Sequence, residues 1–452
     1  MSGIICSLSD FFLVFSEQKT TLADVWQASL ALFMTKKIGM SLPTIVAPGG
    51  SYQKALTAAR YGAEEVYMGV PFTSLRMRQN KIGDFTQLKE TIDAVHALGT
   101  KALLTMNIFP RNMDIKIFEA TVEKIADVGA DAIIFSDPGT FHVLRKYLPN
   151  TPLHLSTQTS TMNYSAVQFW YDMGVKRVVL ARELHLEEIK EIKKQVPGME
   201  LEVFVHGAMC MSYSGRCLLG DYMNGRPGNK GECSHACRFG YKVWIEEERR
   251  PGKLMQLEEG EDGTNYILSS RDLCTIEKLQ EILPYVDAMK IEGRSKSEFY
   301  VGAIVKAYKH VRDAILQGKP IDPEIQDLVN QVPHREYWSG FLFNDLKNFP
   351  ETESFTTKTS PGPLFNRNYF GIIEDEQVEI EGELYARFTP KEVIEVGTEL
   401  SYLTPKAKGK LTITGIRDAK GKVLEKGTCN TPGILIKADF PLEGGTLLYQ
   451  KM

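Results

Sequence analysis

The sequence contains no apolar run that approaches the roughly 20 residues needed to cross a bilayer. The formal net charge is only −4, so the chain has no overall basic character, and a nucleic acid would have to bind a local patch. The first residues lack the basic region and small-residue cleavage site of a secretory signal. We therefore predict a cytoplasmic protein with no membrane association, in a compartment that keeps thiols reduced.

Several common catalytic motifs are missing as well. The chain has no His-Glu-x-x-His zinc helix and no Gly-x-Ser-x-Gly elbow, and Ser214 has no recognised nucleophile context. No Gly-x-Gly-x-x-Gly follows the first predicted strand, which disfavours a doubly wound dinucleotide-binding sheet. These absences weigh against the familiar hydrolase and dehydrogenase architectures.

Cysteine is scarce except in one segment. Of the seven cysteines in 452 residues, four lie between His206 and Arg238. They follow the spacing Cys-x6-Cys-x15-Cys-x3-Cys and are Cys210, Cys217, Cys233 and Cys237. A long chain without a secretory signal disfavours disulfides, and the surrounding Gly, Ser and Asn residues indicate a loop rather than a core that buries free thiols. We therefore predict that the four thiolates bind a metal centre.

The spacing of the four cysteines favours an iron–sulfur cluster over zinc. Structural zinc sites usually pair their cysteines as Cys-x2–4-Cys, and only Cys233 and Cys237 fit that pattern. A cluster requires four convergent thiolates and tolerates irregular loops. Zinc remains the alternative, and His206 and His235 are left out of the predicted ligand set.

From Pro43 onward, short apolar segments alternate with amphipathic stretches of helical periodicity. This alternation predicts βαβ units and a parallel sheet. The nine strand candidates are 44–48, 65–70, 102–108, 131–137, 153–158, 177–183, 201–207, 266–270 and 286–294. Eight of them would close an α/β fold of the TIM type, a (β/α)8 barrel, and one would remain for an insertion.

The pattern changes near Tyr369 to short alternating strands separated by Gly and Pro turns, which is typical of a small antiparallel β-barrel. The predicted parts are a poorly ordered extension at 1–39, a barrel at 40–319 with a cysteine-rich insertion at 207–265, a linker with a short helix at 320–365, and the small β-barrel at 366–452. Lys406, Lys408 and Lys410 of that last part could contact phosphate or simply lie in a solvated turn.

Active sites of (β/α)8 barrels lie at the carboxyl ends of the strands, and the cysteine loop follows the seventh strand. We assign catalytic roles to His206, Glu292 and Arg294, and substrate binding to Arg76, Arg78, Asn107, Gln158 and Arg182. Guanidinium groups grip carboxylates in bidentate fashion, so the arginines predict an anionic small molecule. Structural ion pairs, including one between Glu292 and Arg294, are the competing interpretation, and His206 could act as an acid or base or merely bond a carbonyl.

The segment from Glu202 to Arg238 is similar to the signature of the collagenase-like peptidases of unknown catalytic type. Further matching segments are 74–80, 136–139, 180–189, 290–301 and 334–341. The resemblance runs from about Pro43 to the C terminus, and it implies an iron–sulfur protein in which the four cysteines of that segment hold a 4Fe-4S cluster.

Within this family the chain is most similar to members that modify tRNA. That resemblance implies oxygen-independent 5-hydroxylation of the wobble uridine of tRNA, with prephenate or a similar small dicarboxylate as co-substrate. Two other functions remain open. The family name implies peptidase activity, and related members that act in pairs imply a non-enzymatic iron–sulfur scaffold working with a protein partner of the same family.

Overall fold

The structure is a computed structural model that describes residues 42–75, 80–249, 251–252, 254–257, 269–343 and 367–451. The predicted extension at 1–39 lies outside these ranges, as do Arg76 and Arg78. Among the residues described, no helix is both long enough and apolar enough to cross a bilayer.

Eight parallel strands close into a barrel, which confirms the predicted fold class. The first seven are β1 (Thr44–Pro48), β2 (Glu65–Gly69), β3 (Lys101–Met106), β4 (Ala132–Phe135), β5 (Leu153–Leu155), β6 (Arg177–Val179) and β7 (Glu200–Ala208). Each strand pairs with the next in parallel, and an eighth strand at Ala288–Ile291 pairs with both β1 and β7. The ring of hydrogen bonds is therefore complete and leaves no open edge among these strands.

Helices connect the successive strands and cover the outside of the barrel. They are α1 (Tyr52–Arg60), α2 (Phe85–Ala97), α3 (Asn112–Ile125), α4 (Pro138–Tyr147), α5 (Tyr164–Asp172) and α6 (Leu186–Gln195). Five of them begin at a side chain that accepts a hydrogen bond from the first turn, namely Ser51, Asp84, Asp137, Asn163 and His185. Such caps satisfy backbone N–H groups that the helix itself cannot, so each helix has a defined start beside the carboxyl end of a strand.

The segment between β7 and the eighth barrel strand forms the insertion. It contains a short helix, α7 (Leu219–Asn224), and a hairpin of β8 (Val243–Glu246) and β9 (Leu254–Leu257). The predicted strand at 266–270 lies mostly outside the described residues. The extra strand that the structure does show is β10 (Asp272–Cys274), which runs antiparallel to β7.

After β10 the chain returns to the barrel. It continues through α8 (Leu279–Ile282), the eighth barrel strand β11 (Ala288–Ile291), the long helix α9 (Glu298–Gln317), a short helix α10 (Pro323–Gln326) and a two-residue strand β12 (Tyr337–Trp338). Strand β12 pairs with β10. Residues 344–366 lie outside the described part of the chain, so the second half of the predicted linker is not covered.

The C-terminal part is a second, closed, antiparallel barrel. Its six strands are β13 (Arg367–Ile380), β14 (Glu383–Phe388), β16 (Glu399–Leu403), β17 (Lys408–Arg417), β19 (Ile434–Ala438) and β20 (Leu447–Lys451), with a small side sheet of β15 (Ile394–Glu395) and β18 (Lys426–Gly427). It packs on α9, where the rings of Phe299 and Tyr449 lie 4.6 Å apart. The hydroxyl of Tyr61 donates to the carbonyl of Leu403 at 2.5 Å, so the two barrels share a packed interface.

The interior of the large barrel contains buried charges that the sequence analysis missed. Arg177 donates to both oxygens of Glu65, at 2.5 and 2.9 Å, and to Glu202 at 3.1 Å. Lys290 bonds the other oxygen of Glu202 at 2.5 Å. The partly exposed Glu200 accepts from Nε of Arg177 at 3.0 Å. Two cations and two buried carboxylates thus neutralise each other in a space that other barrels fill with branched apolar side chains.

Candidate active site at the barrel mouth

A cavity of about 80 Å³ lies at the carboxyl ends of the barrel strands, beneath the cysteine loop. Six of the residues predicted for the site line it: Asn107, Gln158, Arg182, Cys210, Glu292 and Arg294. They come from four different strand ends and from the insertion, so the closed barrel brings together residues that are far apart in sequence. Lys290 also lines the cavity, which connects it to the buried charges below.

Two cations are fixed on one wall of the cavity. Arg294, only 4% exposed, donates from Nη1 to the hydroxyl oxygens of Ser74 at 2.7 Å and Thr105 at 3.0 Å. The ammonium of Lys290 lies 4.5 Å from the centre of the Tyr67 ring. The Tyr67 hydroxyl in turn lies 3.4 Å from a carboxylate oxygen of Glu292. This wall therefore combines positive charge with a carboxylate that can accept a proton.

Two other buried polar atoms at the cavity have no hydrogen-bond partner among the described residues. The guanidinium of Arg182 stacks 3.8 Å from the centre of the Phe204 ring and donates from Nη1 to the carbonyl of Ala208 at 3.3 Å, yet its Nε is unpaired. Gln158 donates to the carbonyl of Gly215 at 3.5 Å, and its Oε1 is unpaired. Buried polar atoms are rarely left without partners, so a donor and an acceptor are available here to a ligand.

The cysteine loop is anchored to the mouth by polar contacts. The Ser214 amide donates to Glu183 at 2.5 Å, and the Ser214 hydroxyl bonds the other oxygen of the same carboxylate. Arg216 donates from Nε to the carbonyl of Gln158 at 2.6 Å. Ser214 has a φ of +44°, a strained value for a residue with a Cβ. The anchor therefore holds the loop in a conformation that the backbone alone would not favour.

Contacts within the loop place its cysteine-bearing segments near one another. Arg238, which follows Cys237, donates to the carbonyl of Met209 at 3.2 Å, and Met209 precedes Cys210. A second contact point is Gly228, where an added Cβ would lie 3.7 Å from the Cys217 carbonyl oxygen and 3.8 Å from the Cβ of Cys233. These distances are ordinary van der Waals contacts, so Gly228 lies close to both Cys217 and Cys233.

The other three cysteines also act on Cys237 electrostatically. Burial raises the pKa of the Cys237 thiol, Arg238 opposes that rise, and the charges of Cys210, Cys233 and Cys217 add to it. Among the described residues, no group of three or more His, Cys, Asp or Glu side chains is arranged to hold a single metal ion. Four thiols on one loop are nevertheless the donor set that iron–sulfur clusters use, so the residues present fit such a group in their chemistry.

The structure places His206 away from the cavity. Its side chain is 1% exposed and lies between the hydroxyls of Tyr308 and Tyr337, each 3.4 Å from a ring nitrogen. Burial lowers the pKa of His206 to about 3. The physical reason is a register shift where β7 pairs with β11, between Lys290 and Ile291. A shift of one residue reverses the face that a side chain points to, so His206 faces α9 instead of the barrel interior.

A closed (β/α)8 barrel with a four-thiol loop over its mouth, followed by a small antiparallel barrel, defines the class of this protein. The sequence pattern of Peptidase family U32 matches residues 50–349, and the chain belongs to this family. The resemblance inferred from the cysteine segment is thereby confirmed.

Three relatives indicate the range of activities in the family. The chain is 35% identical over 423 residues to tRNA hydroxylation protein P of Escherichia coli (strain K12), covering 85% of this chain and 91% of that protein. It is 30% identical over 276 residues to the 23S rRNA 5-hydroxycytidine C2501 synthase of the same organism, covering 61% and 40%. It is 29% identical over 313 residues to a collagenase of Porphyromonas gingivalis, covering 66% and 72%.

Proposed function

We propose that this protein hydroxylates tRNA at C5 of the wobble uridine, in an oxygen-independent reaction that depends on prephenate. The RNA-modifying relatives support hydroxylation of RNA as the reaction. The observation that carries the proposal is the shared cavity, where cationic side chains, two unpaired polar atoms and one cysteine of the loop meet. tRNA is accordingly the macromolecular partner.

The cavity has the charge to bind a small dicarboxylate such as prephenate. Arg294 and Arg182 offer two guanidinium groups at the cavity, and the Nε of Arg182 is unpaired, whereas the ammonium of Lys290 is bonded to Glu202. Guanidinium groups hold carboxylates in a fixed orientation, so the two guanidinium groups suit a ligand with two carboxylates. The unpaired Oε1 of Gln158 can accept a hydrogen bond from a hydroxyl of the same ligand.

We further propose that the four cysteines hold a 4Fe-4S cluster, with zinc as the alternative. A bound cluster would supply electron transfer or a Lewis-acidic iron beside the cavity. Of the four, Cys210 lines the cavity, and the other three lie farther along the loop. The anchor at Ser214 and Glu183 holds the loop in place, so the chain itself fixes where such a group would face the ligand.

The peptidase hypothesis gains no support from the site. The residues that line the cavity in the described part of the chain include no histidine, and the Ser214 hydroxyl is bonded to Glu183. A serine nucleophile requires a base within hydrogen-bond reach and a free approach to the substrate. The following test therefore also distinguishes the proposed function from proteolysis and from a non-enzymatic scaffold role with a partner of the same family.

The proposed function is tested in a bacterial strain that makes no 5-hydroxyuridine-derived nucleosides. We expect that expression of this chain restores these nucleosides in total tRNA, also without oxygen, and that a prephenate-deficient host abolishes the restoration. Mass spectrometry of digested tRNA measures the result. Unmodified wobble uridine in a strain with abundant folded protein would contradict the function, and cleavage of gelatin by the same preparation would support a peptidase instead.

Replacing Arg182 tests the dicarboxylate site. We expect Arg182→Lys to raise the prephenate concentration needed for half-maximal hydroxylation by roughly 10- to 100-fold, because a charge-assisted hydrogen bond contributes about 1.5–3 kcal/mol. Lysine keeps the charge but loses the planar fork and the Nε donor. Arg387→Lys, on the exposed surface of the small barrel, is the matched control. An unchanged prephenate requirement in the Arg182 variant would remove this residue from the binding site.

A further inference from the structure

A second and larger cavity lies far from the mouth, between the two barrels. It is a groove of about 710 Å³ formed by the end of α1, the second half of α9 and residues 405–408 of the small barrel. The helices that follow barrel strands run from the mouth to the opposite end. The groove therefore opens near the end of the large barrel that is remote from the candidate active site.

Cations line the groove in excess over carboxylates. Three of them are paired: Arg60 with Asp375 at 2.6 Å, Lys309 with Asp313 at 3.2 Å, and Lys408 with Glu324 at 2.6 Å. The other three, Lys306, Lys319 and Lys406, form no ion pair with any residue in the described ranges. Asp322 also lines the groove, so six cations stand against two lining carboxylates. Such an excess of positive charge in a concave surface attracts anions more strongly than the same charges on a flat surface.

Lys306 shows the shortage of negative charge most directly. Its ammonium donates to the carbonyls of Thr404 at 2.7 Å and Pro405 at 3.2 Å. Burial and the nearby charge of Lys408 lower the pKa of Lys306 to about 8. An anion placed between these two lysines would relieve their repulsion, and the carbonyl contacts keep the Lys306 side chain in position to meet it.

We propose that this interdomain groove binds the phosphate backbone of the RNA substrate at a distance from the reacting nucleotide. The inference rests on the proposed function, because it takes tRNA as the ligand. Helix α9 begins four residues after Arg294 at the mouth and ends at the groove. Its 20 residues span about 30 Å at 1.5 Å per residue. If the anticodon loop of a tRNA enters the mouth, the groove is therefore too far away for that loop to contact. Only the rest of the tRNA, lying along the side of the barrel, can reach the groove.

This arrangement assigns different parts of the RNA to the two cavities. The mouth, at about 80 Å³, admits a small group, whereas the groove offers several cations and no enclosed pocket for a base. Contacts to phosphate position a nucleic acid without reading its sequence. The groove therefore adds affinity for whole tRNA, and the mouth selects the nucleotide that is modified.

The test is a double charge reversal, Lys319→Glu/Lys406→Glu, in the full-length protein. Both side chains are exposed, and no hydrogen bond of either ammonium is seen within the described ranges, so the fold should tolerate the change. We expect affinity for whole tRNA to fall about tenfold or more. The slope of log affinity against log salt concentration should become shallower by the amount that about two phosphate contacts contribute. Affinity for an isolated anticodon stem-loop should stay within twofold of wild type.

The matched control is Lys420→Glu/Lys422→Glu, in the turn at the other end of β17. It makes the same charge change on the small barrel, roughly 30 Å away from Lys406 along a ten-residue strand, and it should leave tRNA affinity unchanged. Melting temperatures of all proteins verify folding. Binding is measured by fluorescence anisotropy with labelled RNAs, at several salt concentrations.

Other results would contradict either the assignment of the groove to RNA or the proposed function. Equal tRNA affinities of wild type and groove variant would overturn the inference, and so would an equal loss of affinity for the isolated stem-loop. Competition by millimolar inorganic phosphate without any effect of the variant on tRNA would assign the groove to a small anion and overturn the RNA assignment. Groove-dependent tRNA binding without wobble hydroxylation would leave the groove standing and remove the proposed function alone.

Discussion

Cys233→Ser should abolish iron binding and tRNA hydroxylation together. Serine removes one of four thiolates, and a cluster held by four cysteines has no spare ligand. The substitution changes a single atom, in a loop whose anchor at Ser214 and Glu183 lies elsewhere, so the fold should survive. Iron and acid-labile sulfide per protein, visible absorption after anaerobic purification, and nucleoside mass spectrometry measure the three expected losses.

The chain supplies its own control cysteines. Cys274 lies 3.9 Å from the Tyr308 hydroxyl, where burial raises the pKa of its thiol to about 11. Cys429 is exposed in the small barrel. Cys274→Ser and Cys429→Ser should therefore keep both iron and activity. A full iron content in the Cys233 variant would place that residue outside the ligand set, and stoichiometric zinc with no iron in the wild type would favour the zinc alternative.

The barrel was predictable because its signal is repeated. Eight apolar segments of similar length alternate with amphipathic helices, and an error in one segment does not change the fold class. The mouth followed from the same pattern, because parallel strands bring their carboxyl ends to one face. Asn107, Gln158, Arg182, Glu292 and Arg294 accordingly line one cavity.

The features that were missed depend on pairings that no single segment encodes. His206 follows two apolar residues of β7, and only the register shift against β11 turns it away from the cavity. Arg177 and Glu65 are 112 residues apart in sequence, and each looks like a polar residue at the start of an apolar strand. The sequence did contain one sign of the buried ion pairs, namely a charged residue at the start of an apolar strand of a predicted closed barrel. A cation buried on one strand requires a carboxylate on another.

Glu202→Gln should destabilise the large barrel by about 3–5 kcal/mol, the typical cost of removing one partner from a buried ion pair. Glu202 is fully buried and is bonded to both Arg177 and Lys290. Glutamine has nearly the same shape but no charge, so Lys290 would lose the carboxylate it is bonded to, and Arg177 would keep Glu65 and the partly exposed Glu200. Urea unfolding measures the change. A loss below about 1 kcal/mol would show that water or local relaxation compensates the cations.

Restoring charge balance should rescue part of this loss. Glu202→Gln/Lys290→Met removes one charge of each sign and leaves the Arg177–Glu65 pair intact, so the double variant should be more stable than Glu202→Gln alone. Strict additivity of the two single effects would contradict a direct coupling. The readout is stability rather than activity, because Lys290 also lines the cavity.

The contacts of Glu202 with Lys290 and Arg177 predict how the stability of the large barrel changes with acid. Burial raises the pKa of Glu202, but Lys290 and Arg177 outweigh burial, and the net pKa lies below its ordinary value of 4.5. An unfolded chain would take up the proton near pH 4.5, whereas the folded barrel resists it. The stabilisation is therefore complete above that pH and is lost as the pH falls below it. Glu202→Gln lacks the titrating group, so its unfolding free energy should fall less steeply with acid than that of the wild type, a difference that urea unfolding between pH 3 and 7 would detect.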